Sequence, residues 1–498
     1  MICIRHDPLL LAIAEGIFVI GLNPSPESRR VGRTFLSVLA TLALIIVLVN
    51  LQGCANVYKP QNLPLKIIDS EKGYRMTGAR KGDYGDHLIF LAFSGGGTRA
   101  AALSYGVLQE LRDTQVLSHK TKTRLLDEVD SISSVSGGSF TAAYYGLFGD
   151  RLFTDYEDVF LRQSIQGTLI GQLFDPVYWW RSLFSGFDRT EMAIEYYDDH
   201  IFEGKKFSDI RVNTGPYIEI NATDLAGGNR FAFVQGYFDL ICSDLDSLSV
   251  ARAVTASSAV PVAFPTVVLK NHTGQCDVNQ SRLVRYLNGL GDSNLRMNEL
   301  KRRVKSYTDA KGHPYIHLVD GGVADNLGLR ALIDRIETMG AGIFLTDTAR
   351  MPKDVLVVSV DAEVTSEHGI DQSAAKPSLV DTLDAFSNAQ FELYNKETRL
   401  LLDQKLNDMD TILKARGHNL KFYKAHVTFD SIQAKTLKSY FNSLPTSLEL
   451  SDVEVDMLIK AGRELLRGSE GFKAFKADNA AGPVRESGVT GAVPKSTY

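Results

Sequence analysis

The sequence predicts an α/β protein, a doubly wound and mostly parallel sheet flanked by helices and carrying helical insertions. Two observations support this. The runs His87–Phe93, Tyr217–Ile220 and Val355–Val360 are short, apolar and bounded by polar or turn residues, as strands covered on both faces are. Helical periodicity intervenes, first with Leu103, Val107, Leu108 and Leu111 on one face. Strands that alternate with helices imply crossover connections and a parallel sheet.

The chain has 498 residues, enough for one large core with insertions or for two or three domains. It is 44% hydrophobic and 23% charged, with 41 glycines against 15 prolines, which excludes a disordered or fibrous chain. A formal charge of −5 with scattered basic residues lacks the footprint that phosphate backbones require, so nucleic acid is excluded as a partner.

Residues 1–53 read as an N-terminal extension followed by a secretory signal. Arg29, Arg30 and Arg33 precede the apolar run Phe35–Leu51, and Leu51-Gln52-Gly53-Cys54 follows as a lipobox. Lipidation at Cys54 is therefore expected, and an uncleaved transmembrane anchor is the competing reading. Met1–Ser28 is long for such a leader, as a start codon set too far upstream would make it. With Cys3 in that extension and Cys54 lipidated, Cys242 and Cys276 remain, either as a disulfide or as two thiols.

Residues 54–86 are polar, with Pro60 and Pro64, and read as a tether. The folded domain is placed at 87–467. Within it, 146–215 is an aromatic helical cap holding Trp179 and Trp180, either packed in the core or turned toward a membrane interface. Residues 271–312 form a charged insertion, read as irregular and solvated, and 468–498 read as a disordered tail.

Three motifs carry chemistry. Ser94-Gly95-Gly96-Gly97-Thr98-Arg99 stands where a strand ends and a helix begins, so its backbone N–H groups and the helix dipole suit an anion. No lysine occupies a Walker position there. Ser134-Val135-Ser136-Gly137-Gly138 follows the strand-like Val129–Val135 and has the shape of a nucleophile elbow, with Ser134 in place of the first glycine. Asp320-Gly321-Gly322 ends the strand-like Tyr315–Val319 and sets an aspartate at a carboxyl end, where open α/β sheets build their sites.

Together these blocks resemble the patatin-like phospholipase family, marked by a GGGxR oxyanion loop, a GxSxG nucleophile and a DGG aspartate. Ala256-Ser257-Ser258-Ala259-Val260-Pro261 and Asn221-Ala222-Thr223-Asp224 add to the likeness, which spans roughly Leu88 to Asp361. The resemblance implies a lipid acyl hydrolase working through an acyl-enzyme. Ser136 and Asp320 would be its dyad, Gly95, Gly96, Gly97 and Arg99 would shape the oxyanion loop, and Ser134 and Gly138 would flank the elbow. It implies no metal or organic cofactor, and a membrane phospholipid or another acyl-ester lipid as substrate.

A Ser136–Asp320–His368 triad keeps the α/β-hydrolase chain order and competes with the dyad. His313 and His317 lack the carboxylate or cysteine partners of a metal site. A non-catalytic lipid-binding protein, or an esterase or acyltransferase on another ester, are the alternative functions. By similarity to bacterial lipoproteins, Cys54 followed by Ala55 favours the outer over the inner membrane of a cell envelope.

Overall fold

Strand β1 (His87–Phe93) is buried along its whole length, and its alternating side chains divide between two cores. Ile89, Leu91 and Phe93 enter the larger core, while Leu88, Phe90 and Ala92 enter a second one on the opposite face. β7 (Asp354–Asp361) divides in the same way, with Leu356, Val358 and Val360 on the first face and Val355 and Val357 on the second. A sheet covered on both faces needs such continuous apolar strands.

In this computed structural model residues 58–480 are described, apart from 77–84, 186, 211–213, 262, 290–294, 346–351, 365–369, 371–373 and 375. Cys54, the apolar run before it, His368 and the stretch 481–498 thus lie outside the described residues, as do the side chains of Leu183 and Phe184. Lys59–Ser182 and Phe187–Tyr498 form one body. Among the described residues no helix is long and apolar enough to cross a membrane.

The elements in chain order are β1, α1 (Gly97–Asp113), β2 (Val129–Val135), α2 (Gly137–Phe148), α3 (Ile165–Gln172), α4 (Pro176–Ser185) and α5 (Arg189–His200). There follow β3 (Tyr217–Asp224), β4 (Asn229–Ala232), α6 (Val250–Ser257), β5 (Val267–Lys270), α7 (Arg282–Gly289), α8 (Leu295–Tyr307), β6 (Tyr315–Val319) and α9 (Arg330–Met339). The chain then continues through β7, α10 (Leu379–Ala415), β8 (Lys421–Thr428), α11 (Lys435–Asn442), α12 (Asp452–Gly468) and α13 (Glu470–Asn479).

The sheet order is β8-β7-β1-β2-β3-β6-β5, with β4 paired to β3. The five strands from β8 to β3 are parallel, and β6, β5 and β4 are antiparallel additions. The expected mostly parallel sheet with flanking helices is therefore present. α10 covers the second face, setting Leu402, Leu406, Met409 and Leu413 at helical spacing into that core.

Three expected boundaries need correction. The tether reading fails from residue 58 onward. Asn62 Nδ2 donates to Ser243 Oγ (3.0 Å) and to Lys270 O (2.9 Å), and buried Tyr74 stacks on Tyr217 at 4.9 Å. A few well-placed polar and aromatic groups anchor a segment whose mean composition reads as solvent-exposed. The tail reading fails for 470–479, because α13 buries Phe472 and Phe475, the latter edge-on to His87 at 5.3 Å. Two aromatics at helical spacing are enough to dock one short helix. The charged insertion is helical, not irregular: Val284, Leu287, Met297, Val304 and Tyr307 are buried, and Tyr307 donates to Asp224 Oδ2 at 3.1 Å. Arg302 and Lys305 are exposed, whereas Arg303 turns inward, its Nη1 donating to the Tyr237 hydroxyl at 3.2 Å.

The aromatic residues of the cap divide between core and surface. Tyr156, Phe160, Tyr197 and Phe202 pack with Phe140 in the core, whereas Phe174, Trp179 and Trp180 are 82%, 58% and 68% exposed. Cys242 and Cys276 are joined as a disulfide across a Cα–Cα distance of 5.6 Å.

Candidate active site

Ser136 stands at the carboxyl end of β2 with φ 48° and ψ −121°, one of the few non-glycine residues in the left-handed region. Such strain survives only where the surroundings fix it. Here its N–H donates to Ser257 Oγ at 2.8 Å, and Ser257 Oγ in turn donates to Asn221 O at 2.6 Å. The turn also needs bare glycine neighbours. A Cβ on Gly137 would lie 2.0 Å from Gly97 O, and one on Gly138 would lie 2.7 Å from Phe93 Cβ and Ser94 O.

Ser134, the departure from a glycine, is accommodated by hydrogen bonding. Its hydroxyl lies 3.1 Å from Ser139 Oγ and 3.3 Å from Glu219 O, and Ser139 Oγ is 3.0 Å from Ser257 Oγ. The buried serine hydroxyls therefore form one chain that braces the elbow from below, and none is left without a partner.

Asp320 comes to Ser136 along an unexpected route. β6 runs antiparallel to β3, touching it only at Leu318–Asp224 and Val319–Thr223, and so returns toward Asn221, the partner of Val135. The turn is then stitched down: Asp320 N–H donates to Ala259 O (2.9 Å), Gly321 N–H to Ser257 O (3.0 Å), and Thr223 Oγ1 to Asp320 O (2.8 Å). A Cβ on Gly321 would lie 2.2 Å from Asn221 O. The blocks at 221–224 and 256–261 are thus the cradle of this turn, a role that sequence reading had not given them.

The Asp320 carboxylate accepts the Gly322 N–H at 2.7 Å, and the Ser136 side chain is near enough to lower its pKa. Burial raises its pKa to about 6, against the smaller opposing effects of those two groups. Asp325, five residues on, is also pushed up to about 6 by burial, but its Oδ2 accepts the Arg330 N–H at 2.8 Å. A serine hydroxyl beside a carboxylate of raised pKa is a nucleophile next to a base. Among the described residues no histidine is hydrogen-bonded to either.

The three glycines differ. The Gly95 N–H is taken by Asn326 O at 3.0 Å, and a Cβ at Gly95 would lie 2.7 Å from Asn326 Oδ1 and 3.3 Å from Ser136 Cβ. Gly96 (φ 136°) and Gly97 (φ 58°) make the turn into α1, and among the described residues no protein acceptor takes their N–H groups. Thr98 N–H is committed to Ser447 O at 2.8 Å.

Arg99 holds this loop from behind. It is buried, with Nε donating to Ala362 O (2.9 Å), Nη1 to Leu444 O (2.6 Å) and Nη2 to Thr446 Oγ1 (3.1 Å). Burial lowers its pKa to about 10. The segment 444–447 carries no motif, and only its contacts reveal that it seats the glycine loop. Arg99→Ala is expected to cost roughly 3 kcal/mol of stability and to lower turnover about tenfold, with Arg99→Lys recovering little, because an ammonium does not match three fixed acceptors. Urea midpoints and initial rates check both.

Residues 91–333 match the family model described as Patatin-like phospholipase. A comparison with curated proteins finds no match. Among solved structures, human GIVD cytosolic phospholipase A2 aligns at 12% identity and TM-score 0.34, over 54% of this chain and 45% of that one. The same human enzyme in complex with methyl gamma-linolenyl fluorophosphonate aligns at 11% and TM-score 0.38, over 78% and 59%. The chain spans roughly half the length of those chains. The stretch 91–333, which holds Ser136, Asp320 and the glycine turns around them, belongs to the patatin-like phospholipase family.

Proposed function

We propose that the protein hydrolyses acyl esters of membrane lipids through a Ser136–Asp320 dyad. The observation that carries this is the strained Ser136 beside a buried carboxylate whose pKa burial raises to about 6. In the first half-reaction the Ser136 proton passes to Asp320 while Oγ bonds to the ester carbonyl carbon. Gly96 and Gly97 N–H hold the oxyanion, a contribution of about 3 kcal/mol for one such donor. Collapse breaks the bond to the leaving alcohol, which takes the proton from Asp320. Water then repeats the cycle on the acyl-enzyme and releases a fatty acid, with Asp320 again as the base.

The test is fatty-acid release from phospholipid vesicles by the portion from Ala55 onward, together with labelling of Ser136 by an alkyl fluorophosphonate. Absence of both would overturn the reading in favour of a lipid-binding protein, and release from short esters but not vesicles would favour an esterase. The pH dependence follows from Asp320. Below about 6 its carboxyl is protonated and cannot accept the serine proton, so kcat on a soluble ester is expected to rise through about pH 6 and to be level above it.

The same proposal includes a lipid anchor at Cys54 in a cell envelope and a membrane-facing cap. Exposed Phe174, Trp179 and Trp180 support the cap reading, since aromatic rings suit the lipid–water interface. Changing both Trp179 and Trp180 to Ala is expected to weaken vesicle binding of the portion from Ala55 about tenfold, leaving hydrolysis of a dispersed short ester unchanged. Vesicle cosedimentation reads the first effect and a soluble assay the second.

A further inference from the structure

A cleft of about 620 Å³ lies between β8, α11, α12 and the start of α13. Its size is that of small-molecule sites. All of its lining residues follow residue 333, and β8 is three strands from β2, so the cleft is distinct from the site of Ser136 and outside the matched family stretch.

Its chemistry is two-sided. Ile432, Leu437, Phe441, Met457, Ala461 and Leu465 give it an apolar floor. Lys424, Lys460, Glu464 and Glu470 also line it, and two of these four are already engaged: Lys424 pairs with Asp403 at 2.8 Å and Glu470 with Lys473 at 2.9 Å. Lys460 differs, with a side chain 75% exposed and only a loose pair to Glu464 at 3.8 Å. One apolar surface with one available cation suits a single acyl chain ending in a carboxylate. The walls also continue into the oxyanion machinery, since Phe441 on α11 leads directly to Leu444 and Ser447, which hold Arg99 and Thr98. α12 packs backbone to backbone on α1, where a Cβ on Gly462 would lie 2.3 Å from Leu103 O.

We infer that this cleft is a second lipid site that binds a free fatty acid, its chain on the apolar floor and its carboxylate at Lys460. The choice of occupant rests on the hydrolase reading above, which makes fatty acid the product. The geometry of the cleft does not.

The full chain, first treated with a long-chain alkyl fluorophosphonate to fill the Ser136 site, is titrated with cis-parinaric acid, whose fluorescence rises in apolar surroundings. Ser136→Ala is titrated in parallel. Saturable binding is expected in both. Leu465→Trp, which fills the floor at a half-buried position, is expected to weaken it about tenfold, and Lys460→Glu about threefold, with melting temperatures close to the parent. No saturable binding, or binding unchanged in both variants, overturns the site. Failure of the two readings is separable: binding with these losses in a protein that hydrolyses no ester keeps the cleft and removes the reaction, and hydrolysis with unaltered binding does the reverse.

Discussion

Ser136→Ala is expected to abolish fatty-acid release, with a loss of at least about 10³-fold, and Asp320→Asn to lose a similar factor. The proposed reaction bonds this hydroxyl to the acyl carbon, and an amide in place of the carboxylate does not take up its proton. The two variants differ in stability. An Asp whose folded pKa lies near 6 against about 3.9 unfolded binds its proton more tightly when folded. It therefore contributes stability below about pH 4, which is lost as pH rises through 6, and its ionised form costs roughly 2–3 kcal/mol at neutral pH. Asp320→Asn removes that cost, so it is expected to melt no lower than the parent at pH 7 while losing activity. His368→Ala is expected to stay active. Initial rates and thermal melts on the same preparations check all three, and an inactive His368→Ala would replace the dyad with a triad.

Gly97→Ala is expected to lower kcat by about 10²- to 10³-fold with little change in KM. A Cβ there would lie 2.2 Å from Ser447 O, at a φ of 58° that costs a side chain about 1 kcal/mol or more. The clash is with backbone, so the loop must shift, and the shift moves the Gly96 and Gly97 N–H groups away from a developing oxyanion. A displaced donor of this kind costs about 3 kcal/mol in the transition state. Gly171→Ala is the control. It is on helix α3 with nothing within 4 Å of the added Cβ, and it is expected to leave kcat unchanged and to stabilise by up to about 1 kcal/mol. Separate kcat and KM values with urea midpoints distinguish a moved donor from a loosened fold.

The strands β1, β2 and β6 were legible at their observed limits because buried strands are continuous apolar runs broken by turn residues, and both properties are local. Ser136, Asp320 and the glycine loop were legible for a related reason: a strained turn admits few residue types, so its composition is distinctive. The cap was legible only as aromatic, since the sequence does not say which rings face the core and which face solvent.

What the sequence alone determined, then, is the sheet-and-helix alternation and the residue types at the three turns, because each follows from backbone sterics and burial within a short window. Only the tertiary structure decided that β6 runs antiparallel and so returns Asp320 to Ser136, that the Gly95 N–H is occupied by Asn326 while Gly96 and Gly97 are not, and that Leu444, Thr446 and Ser447 hold the loop through Arg99 and Thr98. These depend on hydrogen bonds between residues roughly 95 to 350 positions apart in the chain. Backbone carbonyls are the acceptors in most of them, and a carbonyl is the same whatever side chain it carries, so nothing in the local sequence marks it.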